Sequence, residues 1–534
     1  MTRFRWMLAF ASCALTLGPG CTDPAPAPTD AAPTDVAPTD AAPTDVAPTD
    51  ATDVTDASDA LDVSDARDAA DIRDVTDVFV PRDVPDVPDV TDASDASDAT
   101  PMGLLAPLPS ACRVVFEDAA ALCRTTPCAV TANVALQCPG NGFGLAVAAG
   151  TARASVSYTE NQGGFHPMYA SLDLAARAGT VEQVPSGNWP ARVLSTRGGG
   201  AYVAAYSADA SDRDALAVLT RESGGWRRVM IEGGRYVPIA VGDGAHHADG
   251  RESFVYSRGE GDASSIMAAT RAADGTWTTS QLAGGPVFGR FAIDTAPDGT
   301  GDIILARWRF GVPTAMARTL LIGAGTTEPR AAYVQSPGTS EAFNHVTVVS
   351  RAGGSPVAAI GLDDGVHALL PGATAYTDTL VANTARGHDT TCPGEGGSPP
   401  VSCGTTRMCT AHGTYGGFGS HGLARTADGR VWLVYAQQYV DRDYRVTYSA
   451  PMGPGCFASS TVLADRTRTE LVVVEVGATL TERARLVMND GASTSDLDVD
   501  AAGSSLQIAR LGEPLQPSDP PVLRFVAVDT ATLR

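Results

Sequence analysis

The sequence contains no lysine, and all 38 of its basic residues are arginine. Arginine binds carboxylates through two parallel N–H donors, but codon bias toward Ala, Gly, Arg, Pro and Val explains the composition more simply. A broad basic surface is also missing, because residues 101–534 carry a net charge of −7. That charge excludes nonspecific binding of nucleic acid as the function.

Catalytic signatures are missing as well. The chain has no G-x-S-x-G elbow, H-E-x-x-H motif, phosphate-binding loop or dinucleotide fingerprint. No catalytic residue and no cofactor are therefore predicted. Past the first residues no segment is apolar enough to cross a membrane, and Glu117–Leu122 is the only stretch with a convincing helical pattern. The rest of the chain favours β structure.

The start of the chain follows the plan of an export signal. Arg3 and Arg5 precede an apolar run, and residues 17–21, Leu-Gly-Pro-Gly-Cys, resemble a bacterial lipobox. We expect residues 1–21 to be a signal peptide and Cys21 to be lipidated, with ordinary cleavage and free secretion as the alternative. Lipid chains on Cys21 would anchor the protein in a membrane, and Thr22 after the cysteine favours the outer membrane or cell surface.

Residues 22–104 predict a disordered tether. Between Thr22 and Thr100 there are 21 Asp against three Arg, and Asp recurs at every third position from Asp53 to Asp98 except at Val80. Like charges, frequent proline and few aromatic residues prevent a core from forming. A disordered repeat of this kind does not bring six to eight oxygen ligands to one point, as a Ca²⁺ site requires. At about 3.1 Å per extended residue, the segment would reach roughly 250 Å.

Apolar alternating strands recur through residues 105–534. They are 154–159, 201–206, 252–257, 302–307, 356–361, 430–435 and 484–489, and matched positions recur about every 50 residues except for one longer interval. Asp-Gly pairs, as at Asp274 and Asp428, supply the tight turns between them. In the stretch 421–451 we expect a strand, an Asp-Gly turn, an apolar strand, a polar turn at 441–443 and another strand. This spacing predicts an all-β propeller with seven blades, or six as the alternative.

The turns resemble the hairpins of sialidase-like and Asp-box propellers. The closest matches to their Ser-x-Asp-x-Gly-x-Thr-Trp signature are residues 272–277, 426–432 and 223–226, all of which depart from it. The resemblance implies a propeller. It carries over no catalytic residue, because the family's Arg-Ile-Pro segment does not occur, and a shared fold does not establish a shared function.

Eight cysteines in the exported part predict disulfides. They form two groups, within which we expect the pairing to occur: Cys112, Cys123, Cys128 and Cys138, and Cys392, Cys403, Cys409 and Cys456. The second group surrounds an insertion at about residues 384–419. Its spacing, Cys-x10-Cys-x5-Cys-x2-His, matches no compact zinc knuckle. We therefore predict no metal there, and a loop held by disulfides.

Binding residues are expected mainly on that loop, because long loops on a rigid scaffold often carry binding sites. The candidates are His388, His412, Tyr415, Phe418 and His421 in and after the insertion, together with Arg307, Trp308 and Arg309. The alternating Asp496, Asp498 and Asp500 could bind Ca²⁺, but we expect them to protect an exposed outer edge strand from aggregation.

Two functions remain open from the sequence. The first is a lipid-anchored, non-enzymatic propeller that binds a glycan or an extracellular protein. The second is an exported carbohydrate-active enzyme, a hydrolase or lyase that acts at the central funnel. Two or more arginines beside a tyrosine and a carboxylate in the funnel would favour the enzyme.

Overall fold

A computed structural model gives the fold of one compact unit, Ser97–Arg534. It describes residues 104–124, 128–138, 141–161, 165–185, 192–195, 201–206, 216–232, 241–247, 249–258, 265–284, 291–295, 303–310, 318–324, 329–334, 345–351, 354–362, 365–383, 388–391, 404–451, 456–488, 492–514 and 522–533. The predicted signal peptide, Cys21 and the tether lie outside these residues. Within them there is no α-helix, and no helix is long and apolar enough to cross a membrane.

The described chain begins with three short strands and a 3-10 helix. The strands are β1 (Leu108–Pro109), β2 (Arg113–Phe116) and β3 (Val130–Gln137), and the 3-10 helix is Ala119–Leu122. The Asp118 carboxylate caps this helix by accepting a hydrogen bond from the Ala120 N–H group. The predicted helical stretch is thus one short 3-10 turn.

Five sheets follow in chain order, and in each of them consecutive strands pair in antiparallel fashion. Blade 1 contains β4 (Asn141–Ala148), β5 (Arg153–Asn161), β6 (Phe165–Asp173) and β7 (Ala178–Gln183), with β1 added at its outer edge. Blade 2 contains β8 (Arg192–Ser195), β9 (Ala201–Tyr206), β10 (Leu216–Glu222) and β11 (Gly225–Glu232). Blade 3 contains β12 (Val241–His246), β13 (Glu252–Arg258), β14 (Ser265–Arg271) and β15 (Trp277–Gly284). Blade 4 contains β16 (Phe291–Thr295), β17 (Ile303–Phe310), β18 (Arg318–Ala324) and β19 (Arg330–Val334). Blade 5 contains β20 (Val346–Arg351), β21 (Gly354–Leu362), β22 (Gly365–Pro371) and β23 (Tyr376–Asn383).

The last two sheets are less regular. Blade 6 contains β24 (His388–Thr391), β25 (Thr406–Arg425), β26 (Val431–Pro451), β27 (Cys456–Asp465), β28 (Arg468–Val476) and β29 (Leu480–Met488). Blade 7 combines both ends of the unit, because β30 (Ala492–Ala502), β31 (Ser505–Pro514) and β32 (Val522–Asp529) pair in order with β3 and β2. A 3-10 turn, Thr530–Thr532, follows β32.

The hydrophobic core is divided among the junctions between neighbouring sheets. Each of seven clusters joins residues of two adjacent blades, and one of them fills the junction of blade 7 with blade 1. The sheets therefore close into a ring of six continuous blades and one composite blade. This confirms the predicted all-β propeller, and the composite sheet brings the number of sheets to seven.

The recurring strands of the sequence occupy equivalent places in six blades. Those predicted at 154–159, 201–206, 252–257, 302–307, 356–361 and 430–435 correspond to the second strands β5, β9, β13, β17, β21 and β26. The strand predicted at 484–489 is wrong as a repeat position, because it falls in β29, the outermost strand of blade 6. The second strand of blade 7 is β31. The extra residues of blade 6 lengthen the chain between its second strand and that of blade 7, so a repeat of about 50 residues points to the wrong strand.

The predicted insertion loop contains β structure. The first half of β25 and the second half of β26 extend past the blade and pair with β24 and β27. A small apolar cluster of Cys409, Ala411, Val440, Tyr444 and Val446 lies in this extension. The turn expected at 441–443 is wrong, because β26 runs through these residues without a break.

Disulfides form within the first cysteine group, as predicted. Cys112 is bonded to Cys138, and Cys123 is bonded to Cys128. The Tyr158 hydroxyl lies 3.1 Å from the Cys112 sulfur, and burial raises the pKa of this tyrosine. In the second group Cys409 is also disulfide-bonded, while the side chains of the other three lie outside the described residues.

A row of carboxylates joins blade 7 to blade 1. The N–H groups of Leu145, Val147 and Ala149 donate to Asp496, Asp498 and Asp500 at 3.0, 2.7 and 3.0 Å. These acceptors lie on β30, the innermost strand of its sheet. The prediction of an outer edge strand is therefore wrong, because the aspartates lie on an inner strand and accept hydrogen bonds from the backbone of blade 1.

The same bonds argue against a Ca²⁺ site at this row. The second carboxylate oxygen of Asp496 accepts from the Leu497 N–H group, and that of Asp500 accepts from the Ala501 N–H group. Gln507 extends the contact, since its amide bonds both the N–H and the carbonyl group of Gly150. We call the three aspartates and Gln507 the carboxylate clasp.

Loss of one clasp carboxylate should weaken the folded state. Asp498→Ala removes the acceptor of the buried Val147 N–H group, so the free energy of unfolding should fall by about 1–3 kcal/mol in chemical denaturation. Asp498→Asn is the matched control, because it keeps a neutral acceptor oxygen and should lose less. An alanine variant within about 0.5 kcal/mol of the wild type would contradict a stabilising role for the clasp.

Candidate active or binding site

Of the residues predicted to bind a ligand, the three whose side chains are described lie in different surroundings. His421 is fully buried, and its ring centroid lies 4.9 Å from that of His345. His412 is exposed on the extension, where its Nδ1 lies 3.2 Å from a carboxylate oxygen of Asp441. Arg307 of blade 4 donates to the carbonyl group of Gly284, at the end of β15 in blade 3, at 3.3 Å. The strands of His388, Tyr415, Phe418, Trp308 and Arg309 are described, but their side chains lie outside the described part.

The extension carries its own ion pairs. Arg466 donates to Asp441 at 2.9 and 3.0 Å and to Asp443 at 3.0 Å. These bonds raise the pKa of Arg466, Asp441 first, and Arg466 lowers the pKa of Asp441. Arg442 pairs with Asp465 in the same region. Both arginines of this group are therefore paired within it, and the three aspartates leave one negative charge.

A denser group of charged residues lies on one face of blade 6. In the register of the sheet Gln437 is opposite Glu470, Tyr439 is opposite Arg468, and Val472 is opposite Arg485. Side chains two residues apart on a strand share a face, so all these side chains point to the same side. Arg124, from the segment after the first 3-10 helix, donates to the carboxylate of Glu470. We call Arg124, Arg468, Glu470 and Arg485 the arginine cluster.

Glu470 is the centre of this cluster. Its side chain is fully buried, whereas Arg124 and Arg468 keep 49% and 47% of their side-chain surface exposed. Both arginines donate to the same oxygen, Oε1, at 2.8 and 3.2 Å, and Arg485 donates to Oε2 at 3.2 Å. A buried carboxylate is tolerated only when it is paired and hydrogen-bonded. Three guanidinium groups meet that need.

Arg485 links the cluster to a tyrosine and a second carboxylate. Its Nε and Nη2 donate to Glu482 at 2.6 and 2.7 Å, and its Nη1 donates to the Tyr439 hydroxyl at 2.9 Å. The bonds from Arg485 to Glu482 and then to Glu470 hold the pKa of this guanidinium above its usual value. Tyr439 donates in turn to Gln437 at 3.0 Å, and Arg468 lies 4.5 Å above its ring centroid.

A cavity of about 470 Å³ adjoins the cluster between blades 5 and 6. Its polar wall includes Thr379, Tyr435, Thr479 and the same Glu482, while leucine and valine side chains form the rest. Burial raises the pKa of Tyr435 to about 12, and nearby Arg485 opposes this rise. The cavity therefore offers neutral hydroxyl groups and apolar surface next to cationic side chains.

The cluster has hydrogen-bonding capacity to spare for an anion. Three arginines against Glu470 and Glu482 leave one positive charge. A guanidinium has five N–H donors; in the described structure Arg124 and Arg468 each use one of them in a hydrogen bond. Because the two bonds share one acceptor oxygen, the donor nitrogens lie no more than about 6 Å apart. A carboxylate or sulfate can accept from both arginines at once.

Sequence reasoning missed this cluster. The one local signal is Glu470, which directly precedes the apolar residues Leu471–Val474, because a carboxylate inside a buried strand demands a partner. Arg124 lies 346 residues away, and no pattern in the sequence connects the two. Two arginines beside a tyrosine and a carboxylate, which in a central funnel would favour an enzyme, occur instead on β26, β28 and β29. None of these is the innermost strand of blade 6.

Comparison with known proteins finds matches among solved structures alone. No family model matches the sequence, and no curated protein matches it. The polysaccharide lyase Uly1 matches at 10% identity with a TM-score of 0.37, over 78% of this chain and 99% of the lyase chain. The Trypanosoma rangeli sialidase in complex with sialic acid matches at 9% identity with a TM-score of 0.32, over 79% and 59% of the two chains. The PL25 ulvan lyase bound to -[GlcA(1-4)Rha3S]- matches at 11% identity with a TM-score of 0.30, over 73% and 94%. These neighbours are lyase and sialidase propellers, and values this low carry no conclusion about the ligand or reaction of this chain.

Proposed function

We propose that the protein is a carbohydrate-active propeller that holds an acidic polysaccharide at the arginine cluster of blade 6. The observation that carries the proposal is the pair Arg124 and Arg468, half-exposed and fixed side by side by one buried carboxylate. Arginine forks match the geometry of carboxylate and sulfate groups. Uronate and sulfated sugars present these groups.

The adjoining cavity favours a sugar over a simple anion. Saccharide rings combine apolar C–H faces with hydroxyl groups, and ligand cavities commonly pair an apolar lining with a few polar groups. Here Thr379, Tyr435 and Thr479 supply hydroxyl groups beside leucine and valine side chains. Glu482 lines this cavity and also binds Arg485 of the cluster. A polysaccharide held on the arginines would therefore extend along blade 6, past Arg485, toward the cavity.

Binding can be tested with polygalacturonate and dextran sulfate as probes and neutral dextran as the reference, by isothermal titration calorimetry. Arg468→Gln should weaken binding of an acidic probe about tenfold or more, because a charge-assisted hydrogen bond contributes about 1.5–3 kcal/mol. The matched control is Arg483→Gln, which removes the same charge from a residue of β29 that pairs with Glu475. It should bind as the wild type does.

Three results would count against the proposal. They are equal binding by the Arg468 variant and the wild type, equal binding of dextran and the acidic probes, and no binding of either acidic probe by the wild-type protein. A thermal melt of each variant shows that it is folded before the affinities are compared.

A catalytic role is the second candidate, and the Tyr439 hydroxyl favours it. This oxygen accepts an N–H bond from Arg485 at 2.9 Å and lies beside the anion-binding arginines. Arginines on a uronate carboxylate would also acidify the adjacent C–H bond. Tyr439 as the phenolate could then take that proton while a carbon–carbon double bond forms and the bond to the glycosidic oxygen breaks. The departing oxygen takes a proton back from the tyrosine, which completes a β-elimination and restores the phenolate.

Tyr439→Phe tests catalysis separately from binding. The variant should bind acidic polysaccharide normally and release unsaturated product at least ~100-fold more slowly, because general acid–base groups contribute about that much or more. The ultraviolet absorbance of the unsaturated product measures the rate. If the wild-type protein forms no such product, or the variant is equally fast, Tyr439 has no catalytic part and the function is binding alone.

We further propose that the propeller is displayed from a membrane through lipid on Cys21 and the acidic tether. The lipobox-like residues 17–21 and the repeated Asp triplets support this placement. Cys21→Ser should move the protein from the membrane fraction to the soluble fraction after cell fractionation. Continued membrane association of this variant would refute lipidation at Cys21.

A further inference from the structure

One arginine of the cluster is delivered from outside blade 6. Arg468 and Arg485 belong to β28 and β29, whose backbones are fixed by the sheet. Arg124 instead follows the 3-10 helix Ala119–Leu122 on a segment without regular structure. A half-exposed side chain on such a segment loses considerable conformational freedom when it binds a ligand. Its contribution therefore depends on what holds the segment in place.

The residues immediately before Arg124 are held in place by packing and hydrogen bonds. Leu122 is 4% exposed and packs in the cluster between blades 6 and 7. Cys123 pairs with Leu486 of β29 as an isolated bridge, and its N–H group donates to the Ala120 carbonyl at 3.1 Å. These contacts bring the backbone to the edge of blade 6 immediately before Arg124.

The other end of the loop is held by a covalent bond. Cys123 is joined to Cys128, and Cys128 directly precedes the buried Ala129 and Val130 at the start of β3 in blade 7. The disulfide therefore closes a short loop that contains Arg124 and ties both of its ends to packed structure. Its sequence separation is 5, against 26 for the bond between Cys112 and Cys138. A shorter loop restricts less of the unfolded chain, so the role of this bond is better sought in local order than in global stability.

We propose that the Cys123–Cys128 disulfide is the positioning device for Arg124, so that anion binding at the arginine cluster depends on the redox state of these two cysteines. With the bond closed, Arg124 is held against Glu470 while about half of its side-chain surface stays exposed. With the bond reduced, Arg124 loses its covalent tie to blade 7, and its side chain must be ordered at a cost when the anion binds. The inference rests on the proposed function, because it needs the cluster to bind an anion.

The first test compares affinities for polygalacturonate and dextran sulfate in the full-length protein. Cys123→Ser/Cys128→Ser should weaken binding by a factor close to that of Arg124→Gln, about tenfold if one charge-assisted hydrogen bond is lost. The matched control is Cys112→Ser/Cys138→Ser, which removes the other disulfide and should lower the melting temperature while leaving the affinity unchanged.

Coupling separates positioning from a general structural effect. Residues that act through one another are non-additive in a double-mutant cycle, so Arg124→Gln should weaken binding no further once both cysteines are serine. In the wild-type protein, mild reduction should lower the affinity and reoxidation should restore it, with no change in the Arg124→Gln variant. A purely structural disulfide would give additive losses.

The outcomes distinguish this inference from the proposed function. If Arg468→Gln and Arg124→Gln both leave binding unchanged, the cluster is not an anion site and the proposed function fails. If Arg468→Gln weakens binding but Arg124→Gln or the Cys123/Cys128 variant does not, the proposed function stands and the positioning role is overturned. Additive losses in the cycle overturn it as well.

Discussion

Closure of the ring is the constraint on which this propeller depends. A ring of sheets has as many junctions as sheets, and an open junction would expose both an apolar face and the unpaired N–H groups of an inner strand. Here the last junction combines an apolar cluster with the carboxylate clasp, whose aspartates accept from the N–H groups of every second residue, Leu145 and Val147 in β4 and Ala149 just after it. Adjacent inner strands too far apart for backbone pairing are thus joined by side chains. A similar bond runs from the Ser350 N–H group to Asp294 between blades 4 and 5.

Closure also determines where the candidate site can form. Because β3 completes blade 7, the segment that precedes it must cross the edge of blade 6, where Leu122 is buried. The next two residues are Cys123, which bridges to β29, and Arg124, which binds Glu470. The pairing that closes the ring therefore brings an N-terminal arginine to a carboxylate near the C-terminal end. The fold and the cluster share one structural cause.

Sequence patterns predicted where the strands lie better than which strands lie next to one another. Alternation and Asp-Gly turns gave the all-β class and six equivalent strands, because these features depend on local geometry. The repeat predicted near Leu486 falls on an outer strand and not on a second strand, since the extension of blade 6 lengthens the chain between its second strand and that of blade 7. Asp498 was placed on an outer edge for a related reason. Alternation shows that a side chain faces one side of a strand, but it does not show which strand lies opposite.

The candidate site was less predictable because its charges are paired over long distances. The histidines and aromatic residues of the insertion lie close together in the sequence. In the structure, however, His412 is exposed and His421 is buried. Glu470 binds arginines from its own sheet and from the N-terminal segment. The surrounding domain is acidic overall, with a net charge of −7 over residues 101–534, so long-range attraction does not draw a polyanion toward it. Recognition of an acidic sugar by this protein must therefore rest on short contacts, and the buried carboxylate that holds two arginines together is what makes such contacts possible.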